Sequence, residues 1–535
     1  MPVLNKPLRW MMRWLLLLLA SPLLMAGGTA DHHKFEVLQQ DFETLQQLND
    51  ACVSCHTEAP AQLHNTIHWR WQFEDKSGHL QGKLNVMNSY HPSVASNMDS
   101  CDNCHIGYGL EEQELSGIRP DGVVDCMMCH DTTGEYFYSK FHQDGAKCLN
   151  CHDDGAEALK EQTKNQPSRF TVTLTTMAQQ VGMTTSSACG ACHFHDGGAD
   201  GAKHGDLDSS LLNASHELDV HLSADGASLT CSSCHQGNDH QMYGSRYQAN
   251  SPIDDKGVDA LNGARATCVS CHGDRPMQDE RLNDHTDRVA CQTCHIPAYA
   301  RGGVATKTFW DWSKAGEKDR RRKPIIEYDE AGRVIYASQK GAMQYGETLR
   351  PEYRWFDGQI TFAKPGNPVD PATAVMMTTI GGGAEQTNSK IFPFHVFRSI
   401  LPYDSEEQKL IPMQLAGRGR EAYWNGYSWE KSLQAGAEAA GLKFSGEVGF
   451  VETTMLWPLN HGVAPKEQAL SCQQCHTGEG RLGRVAGLYI PGQNQSQLLD
   501  QLGRLLVILT IVAVLTHGTL RIIFAWRRKR NEPDN

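Results

Sequence analysis

CVSCH, Cys52 to His56, is the stretch on which the reading of this chain turns. Two cysteines two residues apart, with histidine directly after the second, can form thioethers to the vinyl groups of a porphyrin while the histidine gives a nitrogen to its iron. This is the attachment phrase for c-type haem. Eight more copies follow: CDNCH at 101–105, CMMCH at 126–130, CLNCH at 148–152, CGACH at 189–193, CSSCH at 231–235, CVSCH at 268–272, CQTCH at 291–295 and CQQCH at 472–476. Together they use all 18 cysteines. A zinc ribbon or a redox-active Cys-x-x-Cys does not require that histidine, and a disulfide framework would not place every cysteine in one repeated phrase.

Nine covalently bound haem c groups are therefore expected, attached through Cys52, Cys55, Cys101, Cys104, Cys126, Cys129, Cys148, Cys151, Cys189, Cys192, Cys231, Cys234, Cys268, Cys271, Cys291, Cys294, Cys472 and Cys475. The proximal ligands are His56, His105, His130, His152, His193, His235, His272, His295 and His476. A low-spin electron carrier needs a second strong ligand on the far side of the iron, whereas a catalytic haem keeps that position open. Of the 25 histidines, His32 and His33 abut an expected cleavage site and His517 lies in a C-terminal apolar segment. The candidates for distal ligation are His64, His68, His79, His91, His142, His195, His204, His216, His221, His240, His285, His395 and His461. Several sit in short polar loops such as HNTIHW, KHGDLD and SHELDV, where core packing is a poor alternative.

Eight of the phrases fall between Cys52 and His295, leaving about thirty residues of chain to wrap each haem, too few for protein alone to bury it. The expected fold class is mainly α with extensive loops: short helices around a haem-packed core, small β-hairpin elements and a single C-terminal transmembrane helix. The formal net charge of −13 argues against nucleic acid as a partner.

In chain order, Lys6, Arg9 and Arg13 precede the apolar run Trp14–Met25, and AGGTA ends at Ala30, so residues 1–30 read as an export signal peptide. Residues 31–298 hold eight of the phrases without a fixed period. Residues 299–482 are a cysteine-poor elaboration that ends in the ninth phrase. It is expected to contain a hairpin in PIIEYDEAGRVIYAS, turning at Asp329–Gly332, and a helix around Trp429–Ala440. Its basic run, Lys318 to Lys323, is interleaved with acids and reads as a solvated loop rather than an anion site. Residues 483–504 form a linker, 505–526 are long and apolar enough to cross a bilayer, and 527–535 are a short tail opening with Arg527, Arg528, Lys529 and Arg530. The positive-inside rule puts that tail in the cytoplasm and the haem region in the periplasm, anchored to the inner membrane. His517 falls near the midplane of the span, either as a contact with a quinol-oxidising partner or as a neutral hydrogen-bonded residue.

Longer phrases carry a resemblance. NTIHWRW (65–71), VDCMMCHDTTGEY (124–136), CGACHFHDGG (189–198), KHGDLDSSL (203–211), ELDVH (217–221), ACQTCHIPAYARG (290–302), TKTFWDWSKAGE (306–317), GFVET (449–453) and WPLNHGVAPKEQALSCQQCH (457–476) resemble the octahaem tetrathionate reductase family of periplasmic c-type cytochromes. The resemblance runs from about residue 31 to 482. It implies mostly bis-histidine haems, with one catalytic haem held by lysine on one side and open on the other. It also implies reduction of small inorganic sulfur and nitrogen compounds, the tetrathionate, nitrite and hydroxylamine class.

Two departures stand out. CLNCH at 148–152 is a motif beyond the family's eight, and the segment where the family's lysine ligand is expected reads Phe137, Tyr138, Ser139, Lys140. Lys140 is the first-choice catalytic ligand, at an open haem near CDNCH or CMMCH. Lys147 and His142 lie close by, and His142 is a ready ligand should the open site be converted to electron transfer. Two functions stay in view: a membrane-anchored reductase fed from the quinol pool by a membrane quinol-oxidising donor, and a conduit passing quinol electrons to periplasmic redox proteins without chemistry of its own. Membrane lipid is the third expected partner, through the C-terminal helix.

Overall fold

The computed structural model describes residues 30–74, 78–90, 93–97, 124–136, 172–235, 239–244, 266–417, 419–477, 479–490 and 497–530. The expected signal peptide up to residue 29, the CDNCH and CLNCH phrases, His91, Lys140, His142, Lys147 and residues 531–535 lie outside the described residues.

Seven haem-attachment phrases are described, each on a short helix or at the end of one. One helical turn places residues i, i+3 and i+4 on a single face, so both cysteines and the histidine address the same porphyrin. Helix α1 (Leu45–Val53) carries Cys52 in its last turn, and α2 (Met127–His130), α3 (Ser186–His193), α4 (Cys231–Cys234), α5 (Val269–His272) and α6 (Cys291–His295) follow. Helix α7 (Trp429–Ala439) bears no haem phrase, and α8 (Cys472–Cys475) bears the last. Their starts are written in the sequence. Thr44 accepts from the Gln47 N–H at 3.2 Å while Gln47 Oε1 accepts from the Thr44 N–H at 3.3 Å, and Thr185 accepts from the Ala188 N–H at 3.2 Å.

The fold is not mainly α. The cysteine-poor region builds a mixed sheet of eight strands: β1 (Thr306–Asp311), β2 (Ile326–Tyr328), β3 (Val334–Ala337), β4 (Gly341–Gly346), β5 (Glu352–Phe356), β6 (Val375–Met376), β7 (Lys390–Asp404) and β8 (Val448–Pro458). The spatial order is β2-β3-β4-β1-β7-β8-β6, with β5 also pairing with β7. β1 runs parallel to β7 and β6 parallel to β8, while the other pairs are antiparallel. The expected hairpin is only the β2–β3 edge of this sheet, turned at Asp329.

The sheet is hard to see locally for a physical reason. Its centre, KIFPFHVFRSILPYD, is buried on both faces, with only Lys390 and Arg398 exposed, so the period-two alternation that advertises a half-buried strand is missing. Its partner β8 lies beyond α7 in sequence, yet the two pair without a break from Phe394–Pro458 to Asp404–Val448.

The sheet carries the largest apolar core, where Trp310, Trp312, Phe397, Leu401, Met455 and Trp457 are buried. α7 covers it with Leu433 and Ala437, and comes so close that a Cβ on Gly436 would meet the Pro412 carbonyl oxygen at 1.7 Å. A second core, with Leu48, Trp69, Met127, Tyr136 and Met177, lies among the first haem-bearing helices. The sheet also supports the haem region directly. Ile391 of β7 accepts through its carbonyl from the Ala290 N–H at 3.0 Å and the Thr293 hydroxyl at 2.7 Å, seating α6 against the strand.

Within the basic run, Arg320 to Lys323 are exposed, and Asp319 Oδ1 accepts from the Arg321 and Lys323 N–H groups at 2.8 and 2.7 Å. Helix α9 (Gln497–Arg530) closes the chain. Gln501–Arg528 within it contains an 18-residue window of mean hydropathy 2.1 and is long and apolar enough to cross a membrane.

Candidate haem sites

Two imidazoles on opposite sides of one iron, each bonded at about 2.0 Å, hold their ring centres roughly 6.3 Å apart. Six described proximal histidines have a second imidazole at that separation. The pairs are His56 with His32 at 6.3 Å, His130 with His240 at 6.4 Å, His193 with His68 at 6.1 Å, His235 with His461 at 6.0 Å, His272 with His221 at 6.1 Å and His476 with His285 at 6.1 Å. A gap of this size between rings suits an iron atom and is too wide for direct contact. The ring planes divide into two classes. His32–His56 and His235–His461 are near parallel at 23° and 28°, whereas the other four pairs cross at 65° to 85°.

In four of these histidines the other ring nitrogen, Nδ1, is engaged, which leaves Nε2 for the metal. Nδ1 donates to the Gly182 carbonyl from His130 at 2.9 Å, to the Tyr243 carbonyl from His235 at 2.6 Å and to the Arg281 carbonyl from His285 at 2.6 Å. His240 Nδ1 reaches Gln62 Oε1 at 2.9 Å. Gly244, at φ 94°, lets the backbone pass beside His235, where a Cβ would meet the ring at 2.8 Å. Burial, followed by the neighbouring His68, pushes His193 down to about 3, so it is a neutral imidazole with a lone pair to give; burial lowers His68 as well.

Three buried aspartates position the ligands, and the longer sequence phrases encode them. Asp131 of DTTGEY accepts from the Thr133 N–H at 2.9 Å and the Tyr136 N–H at 3.0 Å, and the Tyr136 hydroxyl donates to Asp125 at 2.7 Å, so the turn after His130 is clamped. Asp206 of KHGDLD accepts from the Asn460 N–H at 2.7 Å and the His461 N–H at 3.1 Å. Asp219 of ELDVH accepts from His221 and Leu222 N–H groups with one oxygen and from Gly462 and Val463 N–H groups with the other. One carboxylate thus ties together the turns bearing His221 and His461.

All 14 described cysteines are free thiols, as thioether attachment requires. Their sulfurs also order the sites. The first cysteines of different phrases stand close together in three pairs, Cys52 with Cys126, Cys189 with Cys231 and Cys268 with Cys291. Between the pairs, Cys129 acts electrostatically on Cys189, Cys234 on Cys268 and Cys475 on Cys294. The described sites therefore form one succession, 56–130–193–235–272–295–476, named by proximal histidine.

The remaining candidates fall elsewhere. Among the described residues no second imidazole stands about 6 Å from His295, whose pKa burial lowers and the Ala464 backbone raises. His64 packs on Trp69 at 4.4 Å, while His79 and His216 are exposed. His195 is partly buried near Asp200, and His204 lies beside Asp196 with its ring edge on Trp457 at 5.0 Å. His395 is a core residue, its two ring nitrogens facing the Lys203 and Lys307 carbonyls at 3.1 Å each. His32, set aside on sequence grounds, is the facing ring missed there; its only local signal is the polar HHK turn ahead of α1.

The model for the family "Cytochrome c bacterial" matches residues 307–479. The structure of an octahaem cytochrome c from Shewanella oneidensis superposes with a TM-score of 0.70 at 30% identity, covering 87% of this chain and 98% of that one. No curated protein matches the chain. With that similarity extending over nearly the whole octahaem protein, and with free cysteine pairs and facing imidazoles spaced for iron, the chain belongs to the multihaem cytochromes c, redox proteins that hold haem c covalently.

Proposed function

We propose that this chain is a membrane-anchored periplasmic reductase of small inorganic sulfur or nitrogen compounds, carrying nine haem c groups and fed from the quinol pool. The observation that carries this reading is the succession of facing imidazole pairs. Six sites offer a ligand on both sides, so they suit electron transfer and leave substrate binding to another site. Haem supplies one-electron transfer where both axial positions are filled and a binding position where one is open. His130 faces His240, so the CMMCH site is filled on both sides. Of the two sites that the resemblance offers for the lysine-held open haem, this leaves Cys101, Cys104 and His105, with Lys140 as the opposing protein ligand.

The protein's own groups have definite tasks in this reading. Lys140 must be desolvated enough to be neutral, because an ammonium has no lone pair. Asp206 and Asp219, both buried, hold the turns that bear His461 and His221 in place. Cations near the open site would stabilise the negative charge that develops as an oxyanion is reduced. The C-terminal helix α9 keeps the chain at the membrane that supplies electrons.

The test is low-temperature EPR with resonance Raman on the purified protein, followed by assays with tetrathionate, nitrite and hydroxylamine. A high-spin or ligand-exchangeable haem that changes in Lys140→Ala, together with turnover of one of these compounds, is the expected result. Nine low-spin haems that ignore added ligands would instead make the chain a conduit between the quinol pool and periplasmic redox proteins.

A further inference from the structure

The succession of sites has two described ends, at His56 and at His476, and only the second is tied to the anchor. After α8 the chain does not leave the body of the protein. Leu482, Val485 and Ile490 are buried in a cluster with Tyr353 and Ile391, and Cys475 packs against the same cluster. Ile490 is 5% exposed, so the chain is held to the Cys472–His476 site up to that residue. Six residues, 491–496, then separate Ile490 from the first residue of α9.

Chain length alone limits the reach of this tether, whatever path it takes. The seven steps from Ile490 to Gln497 extend at most about 25 Å. The helical residues ahead of Leu505, where the apolar run begins, add about 12 Å. Some 5–7 Å of that total lies within the lipid headgroups. Ile490 therefore stays within about 30 Å of the membrane surface, roughly the radius expected of a body this size. The Cys472–Cys475 site, which packs on the same cluster as Ile490, therefore lies in the half of the body nearer the bilayer.

The chemistry of this side fits that placement. Arg481 and Arg350 act on Cys475, and Arg484 is exposed beside them, against a chain whose net charge is −13. An anionic lipid surface attracts such a side and repels the remainder.

We propose that the site formed by Cys472, Cys475, His476 and His285 is the electron port through which a membrane-embedded donor reduces the chain. This deepens the quinol-fed reading and rests on it for the identity of the donor. At the port one electron leaves the reduced donor and takes ferric iron to ferrous; no bond forms or breaks. Electrons then run from His476 toward His56 along the succession described above.

The test uses the full-length haem-loaded protein in vesicles of anionic lipid, a fraction of whose headgroups carry chelated gadolinium. The EPR signals of the two end sites are assigned by difference spectra from His285→Ala and His32→Ala. Relaxation of the His285–His476 signal several-fold faster than that of His32–His56 is expected, and insertion of a twenty-residue Gly/Ser spacer after residue 493 should abolish the difference. Equal relaxation at both ends, or faster relaxation at His32–His56, overturns the port. In native membranes the spacer should also slow duroquinol-driven reduction several-fold while leaving reduction by dithionite unchanged. If duroquinol reduces no haem in the unmodified protein, the quinol supply is wrong, and the gadolinium result still decides the port.

Discussion

Removing His32 should change one recognisable part of the protein's magnetic spectrum. In a low-spin ferric haem the imidazole planes set the energies of the two d orbitals that point above and below the porphyrin. Parallel planes raise one of these orbitals above the other and give a rhombic signal. Crossed planes act on both orbitals alike, leave them nearly degenerate and give a highly anisotropic signal. His32–His56 lie at 23° and His285–His476 at 76°, so these two sites belong to different classes. Of the six facing pairs only two are near parallel, the other being His235–His461 at 28°. His32→Ala should therefore remove about half of the rhombic intensity contributed by these six sites and add one high-spin signal. His285→Ala should leave the rhombic intensity intact and remove one anisotropic signal.

The assay is EPR spin integration along a reductive titration, so that each ferric signal is also recorded beside diamagnetic ferrous neighbours. Both residues lie at the protein surface or partly so, and their removal leaves the apolar cores untouched. Difference spectra of the same shape for the two variants, or with the shapes exchanged, would refute the assignment of these rings to opposite faces of one iron.

Three further outcomes follow from the structure. Asp196→Ala should cost about 3–5 kcal/mol, because it removes the carboxylate that holds the fully buried ammonium of Lys203 at 2.7 Å. Lys203→Met should cost less, since Asp196 keeps Lys83 at 3.3 Å; thermal unfolding that ranks the two the other way would contradict this. Burial pushes His395 down to about 4, with Asp206 and the facing carbonyls only partly opposing it. Its neutral form then contributes stability that is complete above pH ~6.5 and is lost as pH falls toward ~4, about 3 kcal/mol in all. His395→Asn should lack that component of the acid unfolding curve, and an unchanged slope between those pH values would show that His395 is not its source. Deletion of residues 491–535 should release a haem-stained protein into the soluble periplasmic fraction, whereas retention in carbonate-washed membranes would mean that α9 is not the anchor.

The haem phrases are legible in the sequence because the chemistry is local: two cysteines and a histidine on one helical turn need no distant partner to be recognised. The facing ligands are legible by type and only partly by position. The polar loops HNTIHW, KHGDLD and SHELDV point to His68 and His221 but equally to His64, His204 and His216, and no spacing rule says that His461 meets His235 or that His285 meets His476. His32 escapes because its place next to an expected export signal gives it a simpler explanation, and His395 misleads because a buried histidine between two carbonyls has no local signature. The sheet is illegible for a related reason. β7 is buried on both faces and bonds to β8 across a long excursion through α7, so the information lies in pairing and not in pattern. The aspartates of DTTGEY, KHGDLD and ELDVH stand out as phrases, yet their work of gripping ligand-bearing turns appears only once the turns are brought together.

The facing rings also bear on how the molecule is assembled. Each pair joins points far apart in the chain, and His68–His193 interleaves with His130–His240, as His235–His461 does with His285–His476. An iron held between each pair would act as a staple across a loop, limiting the freedom of the unfolded chain much as a cross-link does. Because the staples interlock, omission of one loosens several loops at once, and a polypeptide that has not received its full complement has little to hold these loops shut. Such a chain would stay open to proteases around it. Survival there would sort finished molecules from unfinished ones without any dedicated checkpoint.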